Sequence, residues 1–211
     1  MRRAKELKRK ESDAKKKWDE EASRTTVWDN RNADSLILLW LVLCAAAHLH
    51  GSLPILAAQT LGKIADAQSE GDEATVKGLL AASPVLQAYR QWCATDQRYC
   101  MHNECVMVFQ GITAVYATPM CLWLVWAIRT RHPARHVVQA LLCFGQLYGT
   151  LIYFGTAAVN DWRAINPDPF HFWGLFVCLN GLWVIFPLLM LKQSCDHCKK
   201  ALDLWEIMKA A

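Results

Sequence analysis

Residues Phe172–Pro187 read FWGLFVCLNGLWVIFP, a long, apolar and nearly uncharged run that has the composition of a helix lying in lipid. At helical spacing Trp173, Phe176, Asn180 and Trp183 recur at i, i+3, i+7 and i+10, which predicts one shared face. A single amide among aromatic rings at mid-membrane depth costs free energy unless it meets a partner or a ligand. Two readings stay open for it: a packed interface with Asn180 bonded to a neighbouring helix, or a wall of π-faces suited to a flat apolar ligand that carries transient positive charge.

The rest of the chain supplies the setting. Of its 211 residues 54% are hydrophobic and ten are Trp, yet the mean hydropathy is only slightly positive because charge is segregated into the first thirty-odd residues and short loops. Four windows, Leu36–Ala58, Val106–Ile128, Val137–Val159 and Phe170–Leu191, each approach or exceed the ~20 apolar residues that cross a bilayer. The expected fold is an all-α membrane protein, a bundle of four transmembrane helices. A charged tail over 1–34, a bundle over 35–192 with a polar connection at about 60–100, and a tail over 193–211 divide the chain. The first apolar run begins too late and continues too long for a cleavable signal and should act as an anchor.

Charge sets the expected orientation. The amino-terminal tail, the loop RTRHPARH (Arg129–His136) and the lysines after the fourth span are all basic, and basic segments stay cytoplasmic. Four crossings put both termini on that side. The connection Gly62–Gln97 and the loop Asn160–Pro169, with Asp161 and Asp168, fall on the other. Asp34 or Ser35 is a suitable N-cap for the first span, Pro84 should open a short helix in the connection, and Pro119 should kink the second span. The net charge of +4 carries no aromatic-basic interleaving of the kind that binds nucleic acid. Cys195-Asp-His-Cys198 is half of a zinc spacing with no second pair, so no metal or other cofactor is expected.

Every span carries polar residues: His48 and Ser52, Gln110 and Thr113, Gln139, Gln146, Thr150 and Tyr153 on one stripe, and Asn180. Such side chains face the interior of a helical bundle, which predicts a central cavity. For His48, contact with a ligand and hydrogen bonding to another helix are both open.

Five stretches carry a resemblance: YRQWCATDQRY (Tyr89–Tyr99), ITAVYATPMCLW (Ile112–Trp123), RHP (Arg131–Pro133), FGQLYGTLIYF (Phe144–Phe154) and Phe172–Pro187 itself. Over roughly 87–191 the chain resembles the emopamil-binding protein family, the sterol Δ8–Δ7 isomerases of the endoplasmic reticulum membrane and their EXPERA-domain relatives. The resemblance implies a sterol ligand, an affinity for cationic amphiphiles, and a ring double bond moved by proton transfer through a carbocation; it leaves a homodimer open. By the same resemblance His48, in LWLVLCAAAHLHGS, falls on the intramembrane histidine, and Asn180 and Trp183 on the residues that stabilise the cation. The implied cavity further includes Ser52, Thr113, Gln146, Tyr153, Trp173 and Phe176. Two departures matter. The family's two glutamates fall on Ser52 and Gln110, and neither an amide nor a hydroxyl replaces a carboxylate in acid–base work. The family's usual first span has no counterpart in the charged tail, which agrees with four crossings. Two functions follow as expectations: an isomerase working through His48 with Gln110 in place of the glutamate, or a non-catalytic sterol or lipid binder.

Overall fold

The computed structural model describes residues 31–51, 58–81, 84–99 and 103–210, with Arg9, Ser12, Asp13 and Lys16 besides. The described residues form helices and no strand: α1 (Arg31–Gly51), α2 (Ala58–Ser69), α3 (Glu73–Ala81), α4 (Pro84–Thr95), α5 (Glu104–Arg129), α6 (Arg135–Val159), a π-helix (Phe170–Leu179) and α7 (Asn180–Ala210). Four stretches are long and apolar enough to cross a membrane: Ala33–His50, Glu104–Arg129, Arg135–Val159 and the continuous Phe170–Asp203. Ser52 and Pro54, in the first expected span, lie outside the described residues.

Local chemistry accounts for the boundaries. The side chain of Asn103 accepts a hydrogen bond from the Val106 amide at 3.2 Å and starts α5, with Glu104 in the first turn and Arg129 in the last, both favourable to the helix dipole. Asp34 does not cap the first span as expected. The helix already begins at Arg31, and Asp34 sits in its first turn paired with the Arg135 guanidinium at the start of α6. Asp168 accepts from the Phe170 and His171 amides and meets His171 Nδ1 at 3.0 Å, so it caps the π-helix. Its bond to the His171 side chain holds that carboxyl below the usual carboxylate range.

Packing closes the bundle in two layers of contact. α1 lies against α5, α6 against α7, and α5 against α6. Ile37, Trp40, Leu41, Cys44, Cys121, Leu124, Leu142 and Met190 form the main core. The outward face stays apolar, with Val115 79% and Leu151 70% exposed, as expected of side chains that meet lipid rather than water. Gly145 and Gly149 let aromatic rings of α5 approach α6: a Cβ at Gly145 would lie 1.7 Å from the Tyr116 hydroxyl, and one at Gly149 would lie 2.2 Å from the Phe109 ring.

Each end of the bundle is tied by polar contacts. At one end Asp34 pairs with Arg135, and the rings of His136 and His197 stack with centroids 4.1 Å apart. At the other, the segment after α4 pairs with the loop before the π-helix: Gln97 N donates to Ala164 O at 2.8 Å and Asn166 N to Thr95 O at 2.9 Å. The polar connection and the acidic loop therefore share one side, and the RTRHPARH loop lies on the other. N-glycan acceptors inserted near Gly71 and near Asp161 are expected to behave alike and to be modified, whereas one in the RTRHPARH loop stays unmodified. Modification of the RTRHPARH acceptor alone would overturn this orientation.

Candidate functional site

The sequence predicts that the polar residues of different spans meet at a central cavity. In the fold they do: a cavity of about 90 Å³ is lined by His48 from α1, Gln110 and Thr113 from α5, Gln146, Thr150 and Tyr153 from α6, and Asn180 and Trp183 from α7. Trp92, Tyr99, Phe109 and Tyr116 complete its walls.

Each polar group is held differently. The Gln110 amide donates to the Tyr99 hydroxyl at 2.8 Å. Burial holds the Tyr99 phenol well above its ordinary value, so it stays protonated. Thr113 and Thr150 return their hydroxyls to the carbonyls of Gln110 and Gln146, a back-bond that satisfies them within their own helices. Asn180 Nδ2 donates to Phe176 O at 2.7 Å, where the π-helix passes into α7. That bond uses a donor and leaves the amide oxygen as the group the residue can offer to the cavity. Gln146 Nε2 lies 3.5 Å from Cys44 Sγ, while Gln146 Oε1 and His48 Nε2 are buried and have no hydrogen-bond partner among the described residues. Unpaired buried polar atoms are costly, and a ligand or water that met both would recover that cost. Trp183 packs edge-on to His48 at 6.4 Å and to Trp40 at 5.2 Å.

Two expected lining residues lie elsewhere. Trp173 is 62% exposed and Phe176 is fully buried among Tyr153, Phe154, Trp162 and Phe172, and neither borders the cavity. The reason is the π-helix: its wider turns advance each residue by less than the ~100° of an α-helix, so the face counted from Asn180 and Trp183 is lost upstream. Gln139 also leaves the stripe's common purpose, donating to Met190 O and Gln193 Oε1. Ser52 lies outside the described residues. Cys195 and Cys198 gather no third ligand, and among the described residues no cluster of three His, Cys, Asp or Glu side chains could hold a metal ion.

What the sequence reading missed is the buried ion pair at the mouth. Asp96 is fully buried and takes Arg98 Nε and Nη2 at 2.9 and 2.6 Å, and the Tyr153 hydroxyl donates to its Oδ2 at 2.6 Å. Burial opposes the charge on Arg98, but the bonds and attraction of Asp96 outweigh it and raise that guanidinium. Arg98 also reaches Tyr153 O and Thr156 Oγ1, and its guanidinium carbon lies 4.5 Å from the Tyr153 ring centre. The signal was present as Asp-x-Arg-Tyr at 96–99, opposite charges two residues apart beside an apolar span.

The family model for EXPERA (EXPanded EBP superfamily) matches residues 84–194, just over half of the chain and nearly all of the cavity's walls apart from α1. The chain belongs to this superfamily. Its relatives include the probable 3-beta-hydroxysteroid-Delta(8),Delta(7)-isomerase of Oryza sativa subsp. japonica, 34% identical over 108 residues, which are 51% of this chain and 49% of that protein. The 3-beta-hydroxysteroid-Delta(8),Delta(7)-isomerase of Cavia porcellus is 32% identical over 48% of this chain and 44% of its own length. The enzyme of the same name from Mus musculus is 26% identical over 85% and 72%. The chain thus spans about half the length of the first two. Emopamil-binding membership agrees with the stretches Tyr89–Tyr99 and Phe144–Phe154, which both contribute residues to the lining of one cavity.

The glycines of the GQLYG run make a testable claim about that cavity. In Gly149→Ala the new methyl drives the Phe109 ring away from α6 and into the cavity, and sterol affinity is expected to fall about tenfold, a cost of ~1.4 kcal/mol. Titration of purified protein with a fluorescent sterol would read it, and unchanged affinity would remove Phe109 from the binding wall.

Proposed function

We propose that this chain binds a 3β-hydroxysterol between its spans and shifts a ring double bond from Δ8 to Δ7 by proton transfer. The observation that carries the reading is the convergence of His48, Gln110, Asn180 and Trp183, from three different helices, on one cavity. The names of the relatives, sterol Δ8,Δ7-isomerases, supply the substrate class. Chemically the set fits. His48 is the proton donor to the alkene. The Trp183 face and the Asn180 amide oxygen stabilise the positive charge that develops, through the ring quadrupole and a fixed dipole in a dry site. Small-molecule sites span ~300–1,000 Å³, so on this reading admitting four fused rings widens the cavity, with the Phe109 and Tyr116 side chains of its wall moving aside.

Cationic amphiphiles are ligands of the same site on this reading, as mimics of the carbocation. The bilayer is that of the endoplasmic reticulum, with both termini cytoplasmic. A disulfide at Cys93 supports an oxidising environment on the side of the polar connection. A homodimer belongs to the same family-level reading and rests on nothing in the chain itself.

One observation favours the second reading, sterol binding without turnover. Gln110 stands where the resembling enzymes have a carboxylate, and its amide is already spent as a donor to Tyr99. An amide neither takes up nor releases a proton at neutral pH. Conversion of a Δ8-sterol by the purified chain is therefore expected to be slow, with Gln110→Glu raising turnover at least about tenfold, given that a placed acid or base contributes ~10²–10⁴. Trp183→Ala should weaken binding of a protonated amphiphilic amine by about 0.5–2 kcal/mol. Product analysis after incubation with a Δ8-sterol decides between the readings: Δ7 product supports the isomerase, and tight binding without product supports the binder. Absence of both binding and product contradicts each.

A further inference from the structure

Among the described residues that line the cavity none is a carboxylate, yet one lies a single hydroxyl away. Tyr153 borders the cavity and hands its hydroxyl proton towards Asp96 Oδ2 at 2.6 Å, in the range of short charge-assisted bonds. Asp96 is out of reach of solvent, and Arg98 holds both of its oxygens from the far side. The Arg98 amide adds a further bond to Oδ1 at 3.0 Å. Of the residues that hydrogen-bond the Asp96 carboxylate, Tyr153 also borders the cavity and so links the two.

We propose that Tyr153 is the catalytic base of the second proton transfer, relaying to Asp96, with Arg98 as a positioning residue, and so replaces the carboxylate that Gln110 lacks. This rests on the isomerase reading above. In the first step the His48 imidazolium gives a proton to one alkene carbon, the π pair forms the new C–H bond, and the cation is left on the neighbouring carbon. In the second, a C–H beside the cation transfers its proton to the Tyr153 oxygen while the Tyr153 hydroxyl proton passes to Asp96. The C–H electron pair becomes the new π bond. Neutral imidazole, neutral phenol and an Asp96 carboxylic acid remain. After product leaves, the Asp96 proton returns through the Tyr153 hydroxyl to the cavity and on to His48, which resets both groups for the next turnover.

The energetics suit the assignment. The hydrogens beside a carbocation are strongly acidic, so a weak base is sufficient for this step, whereas protonating the alkene demands the stronger acid. A carboxylate paired with a guanidinium, as Asp96 is with Arg98, is such a weak base. Tyr153 is fixed for the transfer by its packing against Phe154 and Phe176 and by the Arg98 guanidinium over its ring. Gly149 and Thr150, one turn along α6, line the same cavity.

The test is steady-state turnover of a 3β-hydroxy-Δ8-sterol by the purified full chain, with the dissociation constant of the same sterol measured beside it. Tyr153→Phe keeps the ring and its stacking and removes only the hydroxyl. It is expected to lower kcat about 100-fold while KM and the dissociation constant stay within about threefold. Asp96→Asn keeps the shape but cannot accept the proton and should lose kcat to a similar extent, with Asp96→Glu recovering part of it. If Asp96→Asn does not accumulate as folded protein, Tyr153→Phe reads the same step alone. Turnover that survives Tyr153→Phe within about threefold overturns the relay and leaves the isomerase reading intact. So does a variant that loses sterol binding and turnover together, because a structural role explains that. A wild-type chain that binds the sterol and never converts it overturns both.

Discussion

A polar side chain inside a lipid-embedded bundle must find a partner or cost free energy, and that constraint shapes this molecule. Most of its buried polar groups are paired inside the protein: Thr113 and Thr150 to their own helices, Gln139 to the α7 backbone, Asp96 to Arg98. His48 Nε2 and Gln146 Oε1 are not, and both residues line the same cavity. The bundle is closed elsewhere by large apolar side chains and by two polar ties at its ends, and other buried polar atoms without a partner among the described residues, Gln139 Oε1 and Ser194 Oγ among them, lie away from the cavity.

The π-helix is the second organising feature. Asn180 ends it by donating to Phe176 O, and the change of pitch there turns Asn180 and Trp183 inwards while Trp173 turns out. π-segments within longer helices are uncommon and recur at functional sites. Here the segment also ties the loop end of the bundle to α4, through the contact of His171 with Gln91 and the cap from Asp168.

The all-helical membrane fold was legible in the sequence because span length and charge segregation are properties of the chain alone. The polar residues of the spans were legible for the same reason, and the fold brings His48, Gln110, Thr113, Gln146, Tyr153, Asn180 and Trp183 to one cavity. What failed, failed for identifiable causes. Trp173 and Phe176 were assigned by a 3.6-residue period that the π-helix does not follow. Asp34 looked like a cap but is drawn to Arg135, a partner 101 residues away. Asp96 and Arg98 looked like loop charges beside a span, and only the return of α6 past them explains their burial. Nothing in a linear pattern signals a hydrogen bond from Tyr153 to a carboxylate in another segment.

The proposed sterol ligand takes its class from the relatives' names, and the place proposed for it is this cavity. A sterol carrying a photoreactive diazirine in its ring system, crosslinked in membranes and mapped by mass spectrometry, tests that most directly. Label on the inward residues of the spans, Gln110, Thr113, Tyr153 and Trp183 among them, and its loss in the presence of excess unmodified sterol, is the predicted result. Label spread over lipid-facing Val115 and Leu151, unaffected by the competitor, would contradict the account.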